Sequence, residues 1–283
     1  MAFGASLVFG SLHAAEKIKV LILDGPQKYH NYKKTTPILK QILEKVDRFE
    51  VDLSRSSKES TADGSYKPDF DQYDVVVINE GFGAGDWPEA TQKAFVDYMA
   101  KGGGMVSYHA ANNAWPKWEE FNKMTGIGGW AGRNEKSGPY LYINDDGEVV
   151  RDDSKGKGGS HGPQHEYEIV VREKDHPIME GLPPSFKHGP DELYDRLRGP
   201  AENVTILASA YSAKDKRGTG RHEPVFMTIP YGEGRVFHTI LGHAVKHLKE
   251  GSFVTTFQRG TEWAATGKVT IPVPENFPNQ KFE

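Results

Sequence analysis

The chain has 283 residues, enough for one large α/β domain or two small ones with a sizeable core, and its 37% hydrophobic and 11% aromatic content argues for a compact globule rather than disorder. A formal net charge of −4, with the basic residues scattered among acids, leaves no concentrated basic face for a phosphate backbone, so nucleic acid is not an expected partner. The absence of cysteine removes disulfides, thiolate nucleophiles and cysteine-ligated zinc together.

Residues 1–15, MAFGASLVFGSLHAA, are a short apolar run ending in small residues before Glu16-Lys17. They resemble the end of a secretory signal peptide cleaved near Ala14 or Ala15, without its positively charged leader. A periplasmic or secreted protein is expected on this pattern, with a cytoplasmic one as the alternative. No later segment approaches the ~20 apolar residues of a membrane-spanning helix, so no membrane insertion is expected after processing.

KIKVLILD (17–24) is a near-continuous apolar run, as in a strand buried on both faces. After the Gly25-Pro26 break, Ile38, Leu39, Ile42, Leu43 and Val46 fall on one helical stripe. A short strand near Phe49–Leu53 and a second buried strand, Asp74–Asn79, come next. Asp86 and Glu89 suggest a capping box for a helix carrying Phe95, Tyr98 and Met99, which ends at Gly102-Gly103-Gly104. Met105–Tyr108 is a third short strand. This order predicts a doubly wound, mostly parallel sheet. Between 110 and 162 tryptophan and glycine are frequent, and 151–162 (RDDSKGKGGSHG) reads as a mobile surface loop. Further strands are expected at Glu168–Val171, Thr205–Ala208, Val225–Ile229 and Arg235–Ile240, the last two forming a hairpin about Tyr231–Gly234. An amphipathic helix with Phe253, Phe257 and Trp263 closes the fold. One domain over 16–271 with a proline-rich tail, 272–283, is the expected organisation.

In doubly wound sheets ligands bind beyond the carboxyl ends of the strands. Asp24 with the loop to His30, Glu80 with its glycine turn, His109 with Asn112-Asn113, and Gly242-His243 all map to that edge. His109 stands at a strand-to-helix turn, where a ring could ligate a metal, take a proton or hold a sugar oxygen; the alternative is a histidine bonded to its own loop. His243 ends at the same edge, and His30 or His165 would supply a third donor. Three such donors with an open position suit zinc or a similar divalent ion, with His109 and His243 as the expected ligands, although no HExxH-like spacing supports it. Among carboxylates, Glu192 is a candidate acid or base and Asp191 a candidate substrate contact or turn cap, with Asp24 a third. Asn112, Trp115 and Trp130 near His109 would suit a sugar's polar edge and apolar face; core packing of each tryptophan is the competing reading. Ser107 lies within a strand and no GxSxG occurs, which disfavours a serine esterase.

Several stretches resemble the ThuA-like family, named for trehalose utilisation: KVLILDG with His30, YDVVVINE, GGGMVSYHAANN, DHPIMEGLP, PDELYDRL, and EPVFMTIPYGEGRVFHTILGH with the closing GTEWAATG. The resemblance spans about 17–268. It implies a class I glutamine-amidotransferase-like, flavodoxin-like three-layer α/β sandwich. In amidotransferases of that fold the nucleophile elbow holds cysteine, whereas the corresponding block here holds His109, so glutamine hydrolysis by a thiolate is excluded. The resemblance further implies a role in disaccharide catabolism, on trehalose or other glucoside derivatives. It links the chain to 3-keto sugars made by a partner sugar dehydrogenase, with a lyase, isomerase or hydrolase reaction and a homo-oligomer as a candidate assembly. A non-catalytic carbohydrate-binding or accessory protein on the same fold is the alternative.

Overall fold

A computed structural model describes residues 16–282; the run 1–15, with its expected signal-peptide remnant, lies outside the described residues. The first half alternates strands and helices. β1 (Ile18–Asp24) and β3 (Val75–Asn79) are almost wholly buried because helices cover both faces of the sheet, as a central parallel strand requires. Between them, α1 (Tyr32–Glu44) buries Leu39, Ile42 and Leu43 from its apolar stripe. It leads to β2 (Phe49–Arg55) and to α2 (Lys58–Ala62), which is capped by the Ser57 side chain. α3 (Glu89–Ala100) is where a sequence expectation fails: Pro88, not Asp86, precedes it, and no side chain caps it. The proline ring fixes φ at −52° at that boundary, and the Pro88 carbonyl opens the helix by accepting from the amides of Thr91 and Gln92.

β4 (Gly104–Tyr108) then runs through the core, and Gly104 permits a close backbone approach there. A Cβ at this position would lie 2.6 Å from the carbonyl oxygen of Ala264. The second half comprises α4 (Glu119–Thr125), β5 (Tyr140–Ile143), β6 (Val149–Asp152), β7 (Ser160–His161), β8 (His165–Val171), β9 (Ser185–Asp191) and β10 (Tyr194–Asp195). β11 (Thr205–Tyr211), β12 (His222–Tyr231), β13 (Gly234–Thr239), α5 (Val245–Leu248) and α6 (Gly251–Thr266) complete it.

The main sheet has the order β2-β1-β3-β4-β13-β12-β11-β8-β9, with β5 attached to β12 and β6 to β5. Pairings from β2 to β13 are parallel, and those from β13 to β9 are antiparallel. α1, α5 and α6 lie on one face, α3 and α4 on the other. The result is a doubly wound α/β sandwich of the flavodoxin-like, class I glutamine-amidotransferase-like kind. β13 inserts beside β4 in parallel, with Thr239 opposite Tyr108. That pairing carries the residues after both strands, His109 and Gly242-His243, to the same edge.

Residues 151–162, expected to be a mobile loop, are instead tied down. They include the end of β6 and the whole of β7, and Arg198 donates to the carbonyls of Ser154 and Gly156. Charge-assisted bonds to backbone carbonyls replace the regular pairing that the glycines and lysines of this stretch cannot build. Beyond α6, Phe277 packs edge-on against Phe186 at 4.8 Å, and Phe282 is buried. No helix among the described residues is long and apolar enough to cross a membrane.

Candidate active site

His109 comes directly after β4 and adopts φ of +43°, a left-handed conformation that a non-glycine residue holds only when its surroundings dictate it. Its Nδ1–H donates to the Ile240 carbonyl at 2.6 Å, which leaves Nε2 as the lone-pair nitrogen. The Tyr194 hydroxyl donates to that Nε2 at 2.8 Å, while Nε2 of His30 stands 3.2 Å away from it. One lone pair cannot serve both neighbours. Nδ1 of His243 lies 3.1 Å from Oε2 of Glu192 and yet has no aligned hydrogen bond. His30, His109, Glu192 and His243 thus present four donor atoms within 4.8 Å of one another. Three imidazoles and a carboxylate at this spacing fit zinc or a similar divalent cation better than they fit each other.

The electrostatics agree with a cation-ready cluster. Burial, and after it the neighbouring imidazoles, pushes His30 down to about 2. Burial takes His109 to about 4, against an opposing pull from Asp191. At His243 burial works downward, but Glu192 and Asp191 outweigh it and raise the ring. Burial would raise Glu192, but His243 and the other imidazoles hold it below the ordinary carboxylate range. Neutral His30 and His109 beside an ionised Glu192 are the protonation states a metal requires, and the raised His243 is the ligand whose proton a metal would displace.

Above the cluster opens a cavity of about 750 Å³. His30, Glu192, Tyr194 and His243 line its inner end, while Trp130, His161, Asn113, Tyr29 and Phe82 form walls. Trp130, itself at φ +54°, packs edge-on against Tyr194 at 4.7 Å.

Several residues singled out from the sequence stand elsewhere. Asn112 is fully buried and bonded to His238 at 3.0 Å; its neighbour Asn113 lines the cavity instead. Trp115 packs with Trp87, Trp118 and Phe121, so its core reading prevails. The His165 ring bonds to the Pro163 carbonyl and packs on Tyr167, away from the cavity. Asp191 is fully buried behind the cluster rather than facing a ligand, and Asp24 is bound to the Arg55 guanidinium through both oxygens. Conversely, Tyr194 and His161 belong to the site without having been singled out. The PDELYDRL block carries Tyr194 two residues past Glu192, but a pattern cannot show that its hydroxyl reaches His109. His247 is also buried, 2.9 Å from Asp191.

Glu80, at the end of β3, is buried beneath the same edge, with Ser56 donating at 2.8 Å and the Trp87 indole at 3.3 Å. Burial pushes its carboxyl up from 4.5 to about 7. The folded state therefore holds a proton that the unfolded chain releases first. Stability is full below about pH 4.5 and is lost as pH rises through about 7. Glu80→Gln keeps both bonds with the amide placed toward Ser56. Its stability advantage over the parent should grow between pH 5 and pH 8, by on the order of 3 kcal/mol. Urea unfolding at both pH values reads it; an advantage that does not change with pH would refute the assignment.

A doubly wound sheet with a histidine at the elbow after β4 defines an amidotransferase-like fold in which that histidine stands where the amidotransferases hold their cysteine. Within that class the chain belongs to the ThuA family, described by trehalose utilisation, whose model matches residues 19–264. This is a carbohydrate-related family. Among solved structures, a protein of Parabacteroides merdae described as ThuA-like is 46% identical, with a TM-score of 0.88 over 94% of this chain and 97% of its own. A protein of Bacteroides uniformis, also described as ThuA-like, shares the fold at 18% identity and a TM-score of 0.59, over 93% and 97% of the two chains. No curated protein matches the chain.

Proposed function

We propose that the chain is a carbohydrate-processing enzyme acting on oxidised glycosides, 3-keto sugars supplied by a partner dehydrogenase, with a divalent cation held by His30, His109, His243 and Glu192. The observation that carries this reading is the convergence of those four donors within 4.8 Å at the inner end of a cavity large enough for a sugar derivative. A ketone at C3 acidifies the C2 proton, so base removal of that proton opens the way to isomerisation or to β-elimination of the C1 oxygen. When bound, the cation supplies Lewis-acid polarisation of the ketone oxygen.

The chain's own residues do the rest. His161 donates from Nδ1 to the Gly162 carbonyl, leaving Nε2 toward the cavity, 3.8 Å from Glu192, as the group that takes the C2 proton. The Tyr194 hydroxyl donates to a substrate oxygen beside His109. Asn113 Oδ1, buried and without a partner, accepts a sugar hydroxyl. Trp130 offers an indole wall to a sugar ring's apolar face.

Incubation with 3-keto-trehalose and 3-keto-glucosides, with and without Zn²⁺, should give product by NMR only where metal is present. Trp130→Ala should raise KM about tenfold with kcat little changed, the loss of about 1.4 kcal/mol of ring contact. If neither substrate turns over and metal analysis finds none bound, the enzymatic reading is wrong. Sugar binding that persists in His109→Ala would then favour an accessory binding protein.

A further inference from the structure

Asp191 is fully buried and does not line the cavity above the cluster, yet both of its oxygens are committed. Oδ2 accepts the Gly242 amide at 2.7 Å and lies 3.1 Å from Nε2 of His188. Oδ1 accepts the amide of Glu192 at 2.8 Å and that of His243 at 3.4 Å, with Nδ1 of His247 at 2.9 Å. His188 is in turn fixed from behind, its Nδ1 2.7 Å from the Ser252 hydroxyl at the start of α6. Two of the amides so held belong to proposed ligands, and Gly242 forms the left-handed turn, φ +102°, that delivers one of them.

The sheet itself does not fix Glu192 against His243. Glu192 comes after β9 and His243 after β13, and β12, β11 and β8 stand between those strands. No ladder hydrogen bond relates the two ligands. One carboxylate spans the gap. His109 needs no such help, because β4 and β13 are adjacent and Ile240 orients its ring.

We infer that Asp191 is the positioning residue of the metal cluster: anchored by His188, it sets Glu192 and His243 at coordinating distance through their backbone amides. The inference rests on the metal reading under Proposed function. Buried acceptors of this kind behind metal ligands are worth about 10–100-fold in metal affinity.

Co²⁺ titration of the whole protein, monitored by calorimetry and by the visible spectrum of the bound ion, tests it. Asp191→Asn removes the charge and one acceptor oxygen. His188→Asn keeps a nitrogen toward Ser252 but loses the one facing Asp191, whereas His188→Gln places a nitrogen toward Asp191 again. We expect Asp191→Asn and His188→Asn to weaken Co²⁺ binding by about 10–100-fold and to alter the spectrum. His188→Gln should restore most of both. Should Asp191→Asn fail to fold, the His188 pair decides the matter. Wild-type affinity and spectrum in the variants would overturn the inference alone, as would a His188→Gln protein as weak as His188→Asn. A wild-type protein that takes up no Co²⁺ would overturn the metal reading and the inference with it.

Discussion

Replacing His109 with alanine is expected to lower turnover of a 3-keto glycoside by about 10³-fold while the protein still folds. Polarisation of a carbonyl by a bound cation is worth several kcal/mol, and each 1.36 kcal/mol or so is a factor of ten in rate. His109 is the most buried of the four donors, only 1% exposed, and its Nε2 lies 3.2 Å from that of His30. Without it the remaining ligands keep their positions but lose their common centre. The folding cost is bounded: the Ile240 carbonyl and the Tyr194 hydroxyl lose a partner, about 1–3 kcal/mol each. Metal content by ICP-MS, circular dichroism and the keto-sugar assay, run on one preparation, separate these effects. His165→Ala is the matched control, because its ring lies away from the cavity, and it should change none of the three. A His109→Ala protein that keeps its metal and its turnover would remove His109 from the site.

The central strands and the edge carrying the site were legible in the sequence because burial imprints directly on composition. IKVLILD and VVVIN can only be covered strands, and the residues just past a strand end must emerge at the edge. His109 and His243 were readable for that reason. The side of the site built from irregular segments was not. In the short turn 109–113 no period distinguishes Asn112 from Asn113; the choice is made by His238 on β13, 126 residues away, which claims Asn112. Asp191 and Glu192 divide the same way: the β9 register turns Asp191 inward to the Gly242 amide and leaves Glu192 at the cavity. Trp115 and Trp130 are equivalent as sequence, yet one meets a ready aromatic cluster and the other meets Tyr194. Each of these outcomes is set by a partner distant in the chain, which local pattern does not encode.

The largest stability effect is expected at Arg198, which has no exposure and donates to no carboxylate. Its guanidinium donates to the carbonyls of Gly138, Ser154 and Gly156 and lies 3.9 Å over the Tyr140 ring. Its backbone exchanges hydrogen bonds with Gly128 in both directions. One side chain therefore braces the segment leading from Trp130 against the stretch that supplies Gly158, Gly159 and His161 to the cavity wall. Arg198→Ala takes the charged donor from the carbonyls of Gly138, Ser154 and Gly156 and empties the fully buried place of the side chain beside Tyr140, at a cost of about 4 kcal/mol. That should lower the thermal midpoint by about 10 °C in a chain of this length. Arg198→Lys should recover little, since one ammonium cannot reach in three directions from a planar fork or stack on Tyr140. Because Arg198 bonds to none of the four clustered donors, metal stoichiometry should stay at the parent value while KM rises and residues 153–159 become open to limited proteolysis. A variant that melts within about 2 °C of the parent would show that the wall stands without its brace. A variant that melts low and also loses its metal would show that wall and cluster unfold together, and that the antiparallel half of the sheet is one cooperative unit with the site it encloses.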